Sequence, residues 1–141
     1  MAKRYLAAAL AVTLLLGILA GCDRYQHESF SGENDIPMSL GDRFTINSSS
    51  EDDKYRGYKY VVCEVTLEVG NKAAIKTLEQ RLHRIRGIVS DSIGAKTFDQ
   101  LSTTEQREEL KLEILTAIND EFNNTKSVKN VYFNDFYFAA G

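Results

Sequence analysis

The stretch Tyr58-Lys59-Tyr60-Val61-Val62-Cys63-Glu64-Val65-Thr66-Leu67-Glu68-Val69, YKYVVCEVTLEV, decides the fold, because its apolar residues return every second position. That period puts Val61, Cys63, Val65, Leu67 and Val69 on one face of an extended chain. Tyr58, Tyr60, Val62, Glu64, Thr66 and Glu68 fall on the other. Glu64 and Glu68 mark a wet side, so the stretch reads as a half-buried strand with Cys63 pointing into a core.

Downstream the period changes from two to about 3.6. Gly70 ends the strand and Asn71 is a suitable N-cap. Ile75, Leu78, Leu82, Ile85, Val89 and Ile93 then recur at spacings of three or four, which predicts one long helix to about Ile93, stopped by Gly94. KTFDQL, residues 96–101, reads as a short helical turn with Phe98 and Leu101 turned inward. Ser102-x-x-Glu105 and Thr103-x-x-Gln106 both have capping-box form, so a second long helix starts near Thr103. Leu110, Ile114, Leu115, Ile118 and Phe122 supply its apolar face. The closing VKNVYFNDFYFA, residues 128–139, is rich in aromatics and valine and reads as a last strand. Val131, Phe133, Asp135 and Tyr137 alternate there with Tyr132, Asn134, Phe136 and Phe138, so both faces are largely apolar. A central strand, or one at an interface, accounts for that. Asp135 among the aromatics must be solvated, pair with a cation or cap a backbone group, because a carboxylate buried alone is costly.

Upstream, LGDRFTIN (40–47) places Leu40, Phe44 and Ile46 on one parity and predicts one short strand before a polar loop. The sum is an α+β domain of order β-β-α-α-β, a small antiparallel sheet packed against two long helices.

The amino-terminal segment has another character. Lys3 and Arg4 precede an uncharged apolar run from Tyr5 to Ala20, somewhat short of the roughly 20 residues that span a bilayer. Charge, apolar run and small residues in that order form a secretory signal. Leu19-Ala20-Gly21-Cys22 looks like the lipobox of bacterial lipoproteins, in which the cysteine sulfur is lipidated and becomes the first mature residue. Asp23 then resembles the signal that retains lipoproteins on an inner membrane. An uncleaved anchor helix is the competing reading, and either one tethers the exported chain to a membrane. This division assigns residues 1–21 to a signal peptide, 22–37 to a flexible spacer and 38–141 to the exported domain. Extended fully, the spacer reaches up to about 50 Å from the bilayer.

About 120 residues remain after the signal, enough for one core. Loss of Lys3 and Arg4 takes the formal net charge from −3 to −5. That acidic balance argues against nucleic acid as a partner. Cys63 is the one cysteine besides Cys22, so it has no partner for an internal disulfide once Cys22 is lipidated.

No catalytic constellation emerges. His27 lies in the spacer, and His83 sits on a helix among Arg81, Arg84 and Arg86 without a second ligand at i+3 or i+4. The glycines form no phosphate loop and no serine stands in a nucleophile elbow. Enzyme activity and a cofactor are therefore not expected. Glu105, Glu108, Glu109 and Glu113 crowd the start of the second long helix, where they complement its dipole. The sharper reading of these charges is that acidic and basic helix faces meet between neighbouring subunits, which makes Arg81, Arg84, Glu108 and Asp135 candidate interface residues.

The second half of the chain resembles a known family. LHRIRGIVSDSIGAKTFDQLSTTEQREELKLEILTAIND (82–120) followed by VKNVYFNDFYF (128–138) is similar to the flagellar basal-body-associated FliL family. The likeness extends over about 43–138. It implies a non-enzymatic motor accessory with a stomatin-like exported domain, assembled into rings around the torque-generating stator and supporting motility. Its partners would be stator proteins, further copies of the chain and the membrane. Family members usually carry a transmembrane helix, in place of which this chain has Cys22 and Asp23, and Thr104 stands where proline is frequent. Two rival readings are a membrane-tethered ligand-binding lipoprotein and an inhibitory lipoprotein that caps one foreign protein.

Overall fold

The computed structural model describes residues 34–123 and 127–141; the signal, Cys22, Asp23 and His27 lie outside the described residues. Three strands come first, β1 (Ile36–Ser39), β2 (Phe44–Asn47) and β3 (Tyr58–Val69). Three helices follow, α1 (Lys72–Glu79), α2 (Leu82–Gly94) and α3 (Thr104–Glu121), and the chain returns as β4 (Val128–Ala140). The α+β class and the antiparallel sheet are as read from the sequence. Two details differ, since one expected strand is two and one expected helix is two.

β3 is the axis of the sheet. β4 pairs with it antiparallel from Tyr58↔Ala140 to Val69↔Val128. The opposite edge is shared, with β2 covering Tyr60 to Cys63 and β1 covering Thr66 to Val69. β1 and β2 are thus halves of one strand interrupted between Leu40 and Arg43. Gly41, with φ +87°, makes the interruption, a backbone conformation that side chains with a Cβ rarely adopt. Leu40 stays tied to the sheet through its N–H, which donates to the Val65 carbonyl at 3.0 Å. β1 also takes in Ile36 and Pro37, the last residues of the stretch read as spacer.

The alternating face of β3 behaves as its period requires. Val61, Cys63, Val65, Leu67 and Val69 are all at most 1% exposed and meet Leu78, Ile85, Val89, Ile93, Leu110, Ile114 and Ile118 from the helices. Burial of each such aliphatic side chain contributes about 1.5–3 kcal/mol. Glu68 departs from expectation, since it is fully buried and its carboxylate accepts a hydrogen bond from the Tyr132 hydroxyl. Strand parity assigned it to the outer face, but its neighbours across the ladder are Pro37 on β1 and Asn130 on β4, so the middle of the sheet encloses it. Glu64 stays half-exposed, as a wet face demands.

The first helical stripe is continuous in sequence yet broken in space at Gln80–Arg81, where Arg81 has φ −121° and ψ 23°. Apolar spacing runs through the break unchanged and therefore carries no sign of it. Packing makes the break, because α1 lies against β3 while α2 lies against β2 and α3. The caps follow the sequence. Asn71 Oδ1 accepts from the Ala74 N–H at 2.8 Å, and Thr103 and Gln106 form a reciprocal capping box at the start of α3. Phe98 and Leu101 are buried around a short 3-10 turn, Asp99–Leu101. Thr103→Ala leaves an N–H of the first turn of α3 unsatisfied and costs about 1 kcal/mol, to be read as a shifted denaturation midpoint with an unchanged slope.

β4 is an edge strand, contrary to the central position that its two apolar faces suggested. The reason is a bulge. Val62 faces Tyr137 and Glu64 faces Asn134, so Asp135 and Phe136 together oppose Cys63, and Asp135 has φ +52°. The extra residue reverses the parity beyond it. Val131 and Phe133 before the bulge and Phe136 and Phe138 after it all pack toward the core, leaving Tyr137 45% exposed. The strand has one apolar face, assembled from both parities.

Candidate functional site

Charged side chains at the surface serve first as clamps between elements. Arg84 on α2 reaches Glu121 at the end of α3 through two hydrogen bonds, Nε to Oε1 at 3.1 Å and Nη2 to Oε2 at 3.2 Å. That fork geometry suits a carboxylate and adds orientation to charge. Arg86 donates from Nη1 to the carbonyls of Leu40 and Asp42 at 2.6 and 2.8 Å, and its guanidinium lies 4.2 Å from the Phe44 ring centroid. It thereby satisfies carbonyls in the gap between β1 and β2. Arg81 lies over the Phe122 ring at 5.7 Å. The three arginines that look like one basic cluster in sequence therefore point to three places.

The acidic candidates are also engaged within the chain. Glu108 accepts from Lys111 Nζ at 2.9 Å, and Glu113 pairs with Lys96 at 2.6 Å. Asp135 is mostly exposed and meets Arg43 Nη2 at 3.2 Å, while Arg43 Nε bonds Glu64 at 2.8 Å. Of the three options open to Asp135, the structure takes two, solvation and a cation. Arg43 was not singled out from the sequence, and Arg86 was read only as one member of the basic cluster with Arg81 and Arg84. Nothing near them in the chain signals a partner, since Asp135 is 92 residues away from Arg43 and Leu40 is 46 residues away from Arg86.

The electrostatics follow from these pairs. The hydrogen bond from Arg84 holds the Glu121 carboxyl below its ordinary value, and Glu121 in turn raises the Arg84 guanidinium. A carboxyl with a depressed folded-state pKa stabilises the fold above its unfolded pKa, about 4.3, and loses that contribution as pH falls through the folded value. Glu121→Gln should therefore flatten the acid limb of the stability curve below about pH 4.5 and leave the neutral limb's shape unchanged. Urea titrations at pH 3 to 7 check this, and parallel acid limbs for both proteins count against it. Cys63, buried among aliphatic side chains, has its thiol pushed up to about 12 and is neutral. His83 is exposed on α2. Among the described residues no group of three His, Cys, Asp or Glu side chains is placed to hold a metal ion, and no helix is long and apolar enough to cross a membrane.

Other surface features lie beside the clamps. On α3, Leu112 is 63% exposed, the most exposed of the large apolar side chains among the described residues, with Glu108 and Glu109 one turn before it. Between α1 and the end of α3 lies a cleft of about 420 Å³, lined by Ala73, Ala74, Thr77, Leu78, Arg81 and Phe122 among others.

The fold and surface together define a small α+β domain with an antiparallel sheet on one side, helices on the other, and exposed charge used to fasten elements. The chain belongs to the FliL family: the model of the flagellar basal body-associated protein FliL matches residues 38–138, from the second half of β1 nearly to the end of β4. Family membership makes it a flagellar basal-body-associated protein. The flagellar protein FliL of Aquifex aeolicus (strain VF5) is 36% identical over 77 residues, which cover 55% of this chain and 47% of that relative. The match thus spans about half the length of the curated relative.

Proposed function

We propose that this protein is a lipid-anchored accessory of the flagellar basal body that supports the torque-generating stator by assembling into a ring on the exported face of the cell membrane. The observation that carries the reading is the family match, which takes in nearly the whole described fold. Residues 1–21 serve as a lipoprotein signal and Cys22 receives the lipid. Asp23 keeps the protein on the inner membrane where the host has two, and 22–37 form the spacer that sets the height of the domain from about residue 38 onward. Two or more acyl chains make such a tether firm, because each buried methylene adds about 0.8 kcal/mol and one chain alone is marginal.

Ring formation needs head-to-tail contacts. Arg84, Glu108 and Asp135 each hold an intrachain partner, and an exposed pair of that kind is worth only about 0–1 kcal/mol. They are therefore free to exchange partners at a subunit contact at little cost, together with Arg81. Nothing in this role requires a catalytic group or a cofactor.

The test is Cys22→Ala in the native host. Loss of the protein from the membrane fraction, weakened swarming in viscous medium, and recovery of stator proteins with tagged wild-type protein are the expected results. A lipidated protein that brings down no motor component, in cells whose motility is indifferent to the substitution, would mean that the fold serves another task.

A further inference from the structure

β1, β3 and β4 meet at one end of the sheet, where Ile36 pairs with Val69 and Val69 with Val128. The chain enters the domain at this end and is pinned there, since the Asp35 side chain is almost fully buried and pairs with Lys129 Nζ at 2.5 Å. α1 starts at the same end, because Gly70 follows Val69 directly and its N–H donates to the Ser127 carbonyl at 3.2 Å. Lys72 therefore lies no more than about 16 Å from Ile36, one ladder spacing plus three residues of chain. α1 turns Leu78 into the core, and at about 100° per residue Lys72, Lys76 and Gln80 stand on its opposite side, all three exposed. No ion pair among the described residues engages either lysine. Residues 70–81 hold Lys72, Lys76 and Arg81 against one acid, Glu79. Of the acids close by, Asp35 is taken by Lys129 and Glu121 by Arg84, while Asp120 stays exposed at the end of α3. The outward face of α1 is thus basic on a chain that is acidic overall.

We infer that α1 rests on the headgroup layer of the membrane, with Lys72 and Lys76 on the phosphates of anionic phospholipid. The inference rests on the reading of the chain as membrane-tethered and adds a second contact, made by the folded domain itself. On that reading residues 22–33 are a flexible tether whose mean span, roughly 20 Å, keeps the entry end of the sheet and α1 beside the bilayer. The other end of the sheet lies roughly 40 Å away along the twelve residues of β3, and its loop, residues 48–57, sets Glu51, Asp52 and Asp53 against Lys54 and Arg56. An anionic surface therefore favours the α1 end over the loop end. Two or three basic residues hold a free protein to a membrane only weakly. On a tethered domain the same contact is intramolecular, and an effective concentration in the millimolar range makes it sufficient. Its consequence is orientation, since it fixes which end of the domain faces the lipid. Because the charges are exposed, the contact weakens as salt rises.

Energy transfer from the full-length protein to the lipid surface tests it. A fluorophore is placed on Gln80→Cys, beside the lysines, or on Ser49→Cys, at the other end of the sheet; both positions are exposed and leave the core intact. The protein, purified from its host membrane, is reconstituted into vesicles carrying an acceptor-labelled headgroup, of phosphatidylcholine alone or mixed with phosphatidylglycerol. Wild type taken through the same labelling supplies the background from Cys22 and the buried Cys63. Transfer from position 80 should rise when phosphatidylglycerol is present, and transfer from position 49 should not. The rise should be lost at high salt and in a Lys72→Gln, Lys76→Gln variant, whose changes are confined to exposed side chains. Equal transfer from position 80 in both lipids, or a rise that survives loss of both lysines, overturns the proposal. Flotation of the same vesicles separates the two readings. Protein that floats with both lipids while transfer stays unresponsive sinks the docking of α1 and keeps the tether, and protein that floats with neither sinks both.

Discussion

Phe98→Ala lowers the unfolding free energy of the domain by about 3–5 kcal/mol, the range for truncating a fully buried aromatic residue. Phe98 is 0% exposed and joins segments that are distant in sequence. Its ring centroid lies 4.8 Å from that of Phe138 on β4, 5.8 Å from Tyr55 in the loop before β3, and 6.4 Å from Tyr58 at the start of β3. The edge-on contact with Phe138 adds to simple burial, since such pairs are worth about 0.5–1.5 kcal/mol beyond their area. Its backbone N–H donates to the Ser49 carbonyl, so the cavity opens where three connections are already held together. Domains of this size have about 5–15 kcal/mol in total, so the loss is a large share. Each kcal/mol moves the midpoint by about 4–8 °C, which puts the fall in Tm at about 12 °C or more. The chain has no tryptophan, so circular dichroism is the suitable probe. Phe98→Leu keeps most of the apolar volume and should cost far less. A Phe98→Ala protein that melts within a few degrees of wild type would show that the aromatic cluster is not part of the core.

The second large effect is at Asp135. Val at this position must adopt φ near +52°, which is unfavourable for a β-branched residue and costs about 1–3 kcal/mol. Relaxing the strain removes the bulge, and a register slip of one residue turns every later side chain to the other face. Phe136 and Phe138 would then leave the core, so the penalty reaches the upper end of that range or beyond it. Asp135→Gly and Asp135→Asn separate the backbone effect from the ion pair, because both residues accept a left-handed conformation and both lose the carboxylate. Each should stay within about 1 kcal/mol of wild type, since the contact with Arg43 is exposed. Denaturation midpoints of the three variants decide the matter. If Val and Asn are equally destabilising, the carboxylate rather than the backbone is what matters at this position.

Asp135 also marks where reading the sequence stops. Its neighbours in the chain are apolar on both parities, and that pattern fits a central strand as well as it fits an edge strand with a bulge. Only the pairing with β3 shows which of the two is present. Arg86 is a similar case: three arginines within six residues look like one basic patch, yet they go to Phe122, to Glu121 and to the carbonyls of Leu40 and Asp42. A helix distributes successive side chains around its circumference by about 100° each. What each one meets depends on elements that arrive from elsewhere in the chain.

Periodicity determined the identity of β3, its buried face with Cys63 and the apolar face of α3, because a period of two or 3.6 is a local property of the backbone, while the last strand was marked by its aromatic and valine content. The caps at Asn71 and Thr103 were equally legible, since a cap and its partner lie within four residues. The resemblance to the family was carried by residues of the helices and of β4, and it held. The tertiary structure alone decided the gap between β1 and β2, the break between α1 and α2, the burial of Glu68, the bulge at Asp135, and the pairing of charges across the surface. Each of these depends on contacts between residues far apart in the chain, and local spacing contains no term for them.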